Sequence, residues 1–329
     1  MASYHLSAQI IGRAAGRSAL AAAAYRAGED MTDPETGTRH DYRRKGGVVA
    51  AFIETPAGAP EWATKRADLW AAVQGKETRK NSQLAREIRV ALPNELDDAE
   101  RVQLVRAWVR ETLTAAGMAA DVSIHDPDPR DPEGERNPHA HILLTLRRFD
   151  PATPDGWAKG KAREWNDPET LTGWRASWAT AQNRALERAG AAARVDHRSL
   201  ADQREAALAA GDDLLAASLD RPPEPRMGLA SAAVEARAQR AGARAPITPQ
   251  GRAVADSRRA RGVIREALTQ ARRAANAVRA LGRYARPAGP PSRARLFARL
   301  SGQAATDTPA ATPAPEPPEA VDDGPGGPS

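Results

Sequence analysis

Three of the six histidines, His125, His139 and His141, have types and spacing that could do chemistry together. His139 and His141 are two residues apart, so on a β-strand both imidazoles share one face while Ala140 points away. His125 ends an earlier apolar stretch, Val122-Ser-Ile-His, and a hairpin would carry it across to them. Three converging imidazoles make a divalent-metal site with positions left open for a ligand, and the plainer alternative is a chance H-x-H among polar edge histidines. Asp126, Asp128, Asp131, Glu133 and Glu135 crowd the segment between, where a run of acids is usually solvated rather than ligating. Glu87 lies within Leu84–Pro93 and could hydrogen-bond a liganding imidazole from behind, or simply pair with a neighbouring arginine. Tyr25 follows four alanines, Ala21–Ala24. It either fills a gap against a sheet or offers its phenol as a nucleophile towards phosphorus, beside a metal or cation that helps ionise it.

The elements that must position these residues read as a mixed α/β domain. Tyr4, Leu6, Ala8 and Ile10 alternate with more polar neighbours, as a short strand does. Ser18 is placed to cap an Ala-rich helix that carries Tyr25 and stops at Gly28. Val48–Ile53 and Ile88–Leu92 read as strands ahead of Pro56 and Pro93. A helix starts at Asp97 or Asp98, repeats its apolar residues at Val102, Val105, Trp108, Val109 and Leu113, and closes at Gly117. Val122–His125 and His139–Leu146 follow as an antiparallel hairpin with a long loop. Leu171 to about Arg188 is amphipathic, with Trp174 and Trp178 at core spacing.

The 329 residues include no cysteine, which excludes disulfide scaffolds, thiolate metal sites and cysteine nucleophiles, so a metal must rest on His, Asp or Glu. No apolar run approaches the ~18 residues of a membrane helix, and the start lacks the pattern of a secretory signal, so a cytoplasmic protein is expected. The net charge of +6 conceals an asymmetry. Residues 226–300 hold 17 arginines against three acids, a net +14, while residues 301–329 hold five acids and no base. Residues 1–225 are left at −3, so the polyanion partner suggested by a pI near 9.9 applies to the arginine-rich segment. Three regions follow: a domain over 1–205, an Ala/Arg-rich helical extension over 206–300, and a proline-rich acidic tail over 301–329 expected to be disordered. Gly12–Ser18 is too short for a phosphate loop and lacks its lysine.

Several motifs recur in one order: Tyr4-His-Leu-Ser-Ala-Gln, Gly12-Arg-Ala-Ala-Gly-Arg-Ser18, Ala23-Ala-Tyr25-Arg, Asp41-Tyr-Arg-Arg-Lys45, Leu84–Pro93, Asn137-Pro-His-Ala-His141 and Val195-Asp-His-Arg-Ser199. Together they resemble the MobA/MobL family of plasmid mobilisation relaxases, including the amino-terminal relaxase part of the conjugal transfer protein TraA, over roughly residues 1–205. The resemblance implies an α+β fold of the relaxase and rolling-circle-initiator type, with a central antiparallel sheet flanked by helices and a His-x-His metal motif on a central strand. It implies a site- and strand-specific nick at a plasmid transfer origin, in bacterial cytoplasm. Tyr25 would form a 5′-phosphotyrosyl intermediate, reversed when the strand is rejoined. Glu87 matches an acidic position that would orient a histidine or assist proton transfer. His125, His139 and His141 would hold a divalent ion, Mg²⁺ or Mn²⁺.

Arg13, Arg17, Arg43, Arg44 and Lys45 are candidates for phosphate contacts, or equally solvated surface charges. Trp157 and Trp165 lie among Lys159, Lys161 and Arg163 and are candidates for base stacking. The resemblance further implies as partners single-stranded and hairpin DNA at the origin, accessory mobilisation proteins and a secretion-channel coupling protein. Two rival functions stay open from the residues: a phosphodiesterase that activates water at the histidines, and a non-catalytic basic DNA-binding accessory protein.

Overall fold

The computed structural model describes residues 4–126, 137–225 and 227–284. The chain divides into two compact units, Met1–Pro223 and Glu224–Ser329.

The first unit opens with β1 (Leu6–Gly12) and α1 (Ala19–Ala27), followed by a short antiparallel pair, β2 (Asp30–Thr32) and β3 (Arg39–Asp41). Then come β4 (Val48–Glu54), α2 (Arg66–Lys76), β5 (Gln83–Ala91) and α3 (Asp98–Val109), whose last turn widens over Arg110–Thr114. β6 (Ala120–His125) and β7 (His139–Leu144) precede a second short pair, β8 (Arg147–Phe149) and β9 (Trp157–Lys161). Three helices complete the unit: α4 (Pro168–Arg188), α5 (Leu200–Ala209) and α6 (Asp213–Leu219).

Five strands form one antiparallel sheet in the order β1-β5-β7-β6-β4. β7 is therefore the central strand, flanked by β5 and β6, and the histidine pair sits at the middle of the sheet. One core packs Ile88, Val122, Ile142 and Leu144 against Leu104 and Trp108 of α3 and Trp174 and Trp178 of α4. The other packs Ile11, Leu84 and Leu143 against Leu20, Ala23 and Ala24 of α1 and Leu69, Trp70 and Val73 of α2. The sheet is thus covered by α3 and α4 on one face and by α1 and α2 on the other, the α+β architecture expected.

Local chemistry explains where the helices begin and end. Ser18 Oγ accepts the Ala21 N–H at 3.1 Å at the start of α1, and Gly28 ends that helix at φ 68°, where a side chain would be strained. Asp97 and Glu100 form a reciprocal capping box at the start of α3. The predicted strands and long helices are present with ends moved by a few residues; β5 starts at Gln83, and β7 stops at Leu144.

In the second unit, α7 (Leu229–Arg240) leads into the 36-residue α8 (Pro249–Tyr284). The buried Glu235 carboxylate ties their junction, accepting from the Ile247 and Thr248 N–H groups and from the Thr248 hydroxyl. The acidic tail over 301–329 and most of the loop acids, Asp128, Asp131, Glu133 and Glu135, lie outside the described residues. Among the described residues no helix is long and apolar enough to cross a membrane.

Candidate metal centre

His125 stands directly opposite His139 in the β6–β7 register, and His141 stands opposite Ser123 one pleat further along. All three imidazoles therefore point to the α1 face, with ring centroids 4.9 to 5.4 Å apart. Their candidate ligating nitrogens lie within 4.8 Å of one another. Two nitrogens bound to one ion at about 2.1 Å each can be at most about 4.2 Å apart, so small side-chain rotations would close the set.

Each ring also directs a second nitrogen at an acceptor, and this decides where its proton sits. His125 Nε2 lies 2.7 Å from the Arg26 carbonyl, which can only accept, so Nε2 donates and Nδ1 keeps its lone pair. His139 Nδ1 donates to the Asn137 carbonyl at 2.8 Å, and His141 Nδ1 donates to Glu87 Oε1 at 2.6 Å, leaving both Nε2 atoms as donors to a cation. Burial lowers the pKa of His139 and pushes His125 down to about 4, so both rings favour the neutral form that ligates a metal. Three convergent imidazoles, each oriented from behind, fit a divalent ion.

Glu87 projects from β5, the neighbour of β7, and is only 2% exposed. Burial alone would raise its carboxyl. Hydrogen bonds from His141, Arg26 Nε at 2.6 Å and the Gln9 amide outweigh that and hold it well below the usual carboxylate range. It is therefore an ionised acceptor that both orients His141 and pairs with an arginine. Gln9 and Arg26 were not singled out from sequence. Gln9 meets Glu87 only through the β1–β5 register, and Arg26 lies beside Tyr25 within a quoted motif.

Tyr25 lies in the last turn of α1 and is 51% exposed. A helix leaves its last carbonyls without internal partners, and here two of them are taken up by side chains of the centre. The Tyr25 carbonyl accepts from Lys45 Nζ at 2.9 Å, and the next carbonyl, Arg26, accepts from His125. The turn that carries the phenol is thus fastened to the histidine cluster through the Arg26 carbonyl and through Arg26–Glu87–His141.

The other expected site residues are spread more widely. Arg13 donates to the Gln74 and Glu77 carbonyls at the end of α2 and pairs with Glu35. Arg43 pairs with Asp41 and Asp30, while Arg17 and Arg44 are exposed. Trp165 is half-buried, edge-on to Trp174 at 5.1 Å, with the Arg86 guanidinium 6.0 Å from its ring. Trp157 differs from expectation: it is only 4% exposed, stacked on Phe149 at 4.5 Å and against Trp62, so its ring is core and not a platform for a base.

Residues 17–211 match the MobA/MobL family. Mobilization protein MobL of Acidithiobacillus ferridurans is 40% identical over 227 residues, covering 60% of this chain and 58% of that protein. A probable conjugal transfer protein TraA of Sinorhizobium fredii is 34% identical over 233 residues, covering 62% of this chain and 20% of that one. The match thus spans only part of these relatives. A solved structure concerned with the molecular basis of vancomycin resistance transfer in Staphylococcus aureus is 33% identical, with a TM-score of 0.54, and covers 60% of this chain and all of that one. Over the greater part of its length, therefore, the chain belongs to the MobA/MobL family.

Proposed function

We propose that this protein is a DNA relaxase that nicks and rejoins one strand at a plasmid transfer origin to begin mobilisation. The observation that carries the reading is the fastening of the Tyr25 turn to three convergent histidines, because a nucleophile and a phosphate-polarising centre must be held together. The relatives' names, mobilization and conjugal transfer, support DNA as the substrate.

The Tyr25 phenolic oxygen attacks the scissile phosphorus, and a P–O(Tyr) bond forms as the P–O3′ bond breaks. The phenol gives up its proton as it attacks, the 3′ oxygen takes one up and leaves as a free hydroxyl, and the 5′ phosphate stays on the tyrosine. Rejoining is the reverse attack by a 3′ hydroxyl. The number of phosphoester bonds is unchanged, so no nucleotide cofactor is consumed. Glu87 holds His141 in the tautomer that presents Nε2, and Arg26 holds Glu87 ionised. A divalent ion on His125, His139 and His141 would supply positive charge to a non-bridging phosphate oxygen. The all-nitrogen donor set favours Mn²⁺ or another first-row ion over Mg²⁺, a hard ion that selects oxygen. Arg17, Arg44 and Lys45 are proposed as phosphate contacts and Trp165 as a stacking surface, with Arg13 and Arg43 contributing where they exchange their internal partners.

The test is to incubate the protein and Mn²⁺ with a labelled single-stranded oligonucleotide bearing the cognate origin and run a denaturing protein gel. A covalent adduct absent from Tyr25→Phe and from His139→Ala/His141→Ala is expected. Cleavage without adduct would replace this reading with water-mediated hydrolysis, and binding without cleavage would replace it with the accessory role.

A further inference from the structure

Resting on the reading of Tyr25 as the nucleophile, we propose that Lys45, together with Tyr42, is a positioning residue that clamps the Tyr25 ring beside the histidine centre. Both belong to the Asp41–Lys45 motif, to which the chemistry above gives no role beyond a phosphate contact.

A tyrosine that is 51% exposed at the end of a helix has no core to fix its side-chain torsions. Displacement of a reacting group by about 1 Å can cost on the order of 10²-fold in rate, so something outside the core must hold the ring. Two neighbours do. Tyr42 meets it edge-on, with centroids 5.2 Å apart and planes at 89°. Lys45 Nζ lies 4.1 Å from the Tyr25 ring centroid while donating to the Tyr25 carbonyl at 2.9 Å. A single ammonium thereby grips both the backbone and the ring of one residue. It also lies 3.5 Å from His125 Nε2, but that nitrogen already donates to Arg26, so Lys45 is held by Tyr25 and not by the imidazole.

The segment bearing the clamp is itself fixed to the end of α1. The Lys45 N–H donates to the Tyr42 carbonyl at 2.9 Å, closing a tight turn, and the Tyr42 N–H donates to the Glu29 carbonyl at 3.1 Å. Gly28 lies against this turn; a Cβ there would meet Val48 Cγ2 at 3.3 Å and the Tyr42 carbonyl at 3.7 Å. The negative end of the α1 dipole favours the ammonium at that spot. A lysine needed only for phosphate attraction would extend into solvent. This one is half-buried against the ring.

The experiment compares the full chain with Lys45→Met, which keeps the stem without charge or donor, and with Lys45→Arg, which restores both. Tyr42→Leu removes only the edge contact. The first readout is the single-turnover rate of adduct formation at saturating oligonucleotide with Mn²⁺, alongside the Kd for the same DNA. The second is the ¹⁹F spectrum of protein labelled with 3-fluorotyrosine, without metal or DNA. Tyr25 is one of four tyrosines, and its line is identified as the one lost in Tyr25→Phe.

Lys45→Met should slow the saturated rate on the order of 10²-fold and change Kd far less. It should also move the Tyr25 line towards that of a solvated ring, and Lys45→Arg should recover most of both. Tyr42→Leu should shift the same two readouts to a smaller extent, and carries the test should Lys45→Met fail to fold. An unmoved Tyr25 line, or a loss confined to Kd, overturns the clamp. If the full chain forms no adduct but Lys45→Met still moves the line, the nucleophile reading fails and the clamp stands.

Discussion

At the scale of single residues, the centre depends on groups that fix protons as much as on those that offer lone pairs. Glu87 accepts from His141, Arg26 and Gln9 at once. Glu87→Gln keeps the shape but turns an amide towards one of those donors, so the His141 ring loses its orientation and Arg26 its counter-charge. Manganese affinity measured by calorimetry should fall about 10 to 100-fold, the range expected when a ligand's supporting partner is lost. Unchanged affinity would show that β7 alone orients the ring. His125 makes a second expectation in the metal-free protein. Burial, aided by the nearby Lys45 charge, pushes it down to about 4 against the opposing bond to Arg26. The unfolded chain therefore binds more protons between about pH 6.5 and 4, and the stability tied to the neutral ring is complete above that window and lost as pH falls through it. Urea midpoints should drop more steeply from pH 7 to 5 in the native sequence than in His125→Asn. Parallel slopes would place the titration elsewhere.

At the scale of elements, α1 and the β6–β7 hairpin must keep their registry for the phenol to stay beside the histidines. Gly28 sits at the joint with φ 68°, and a Cβ would press on Val48 as well as strain the backbone. Gly28→Ala should cost roughly 1 to 2 kcal/mol by urea denaturation, and should slow adduct formation more than Ser18→Ala. The latter removes a cap at the far end of the same helix, worth about 1 kcal/mol. Equal rates for the two at matched stability would mean that the tyrosine end tolerates displacement. Elements with sustained periodicity were legible from sequence: the Val102–Leu113 stripe, the Val122–His125 and His139–Leu146 runs, and the Ser18-to-Gly28 helix all declare themselves within a few turns. β2 and β3 did not, because Asp30-Met-Thr and Arg39-His-Asp are three-residue segments with a single apolar side chain, Met31, and become strands only by pairing with each other. α2 was missed because only Leu69, Trp70 and Val73 mark its buried side, too few for a stripe. The histidine set was readable from spacing. The Gln9–Glu87 contact required a strand pairing across 78 residues that no local pattern encodes. Trp157 departs from expectation for the same reason: its basic neighbours are local, whereas the Trp62 and Phe149 rings that bury it are distant in sequence or brought close by the β8–β9 pairing.

At the scale of the whole molecule, charge and chemistry are separated along the chain. Residues 1–225 carry a net −3, so the proposed site must grip phosphate locally and not through a broad positive field. The positive charge belongs to the second unit. On α8, Arg258, Arg261, Arg265, Arg272 and Arg279 recur at intervals of three, four and seven, which keeps them along one side of the helix. Arg258 and Arg261 are paired with Glu224, leaving exposed Arg265, Arg272 and Arg279 as the stripe available to a polyanion. A chain ending at Pro223, the boundary of the first compact unit, should therefore still form the tyrosyl adduct with a short origin oligonucleotide. Its binding to long duplex DNA should be weaker and less sensitive to salt. Each neutralised phosphate contributes about −0.9 to the slope of log K against log salt, so loss of three contacts predicts a slope shallower by about 3. Replacing the three arginines by Gln in the full chain should reproduce most of that change while leaving the adduct rate on the short oligonucleotide untouched. An identical slope in the truncated and full-length proteins would assign the duplex contacts to the first unit, and would leave α8 to a partner that is not DNA.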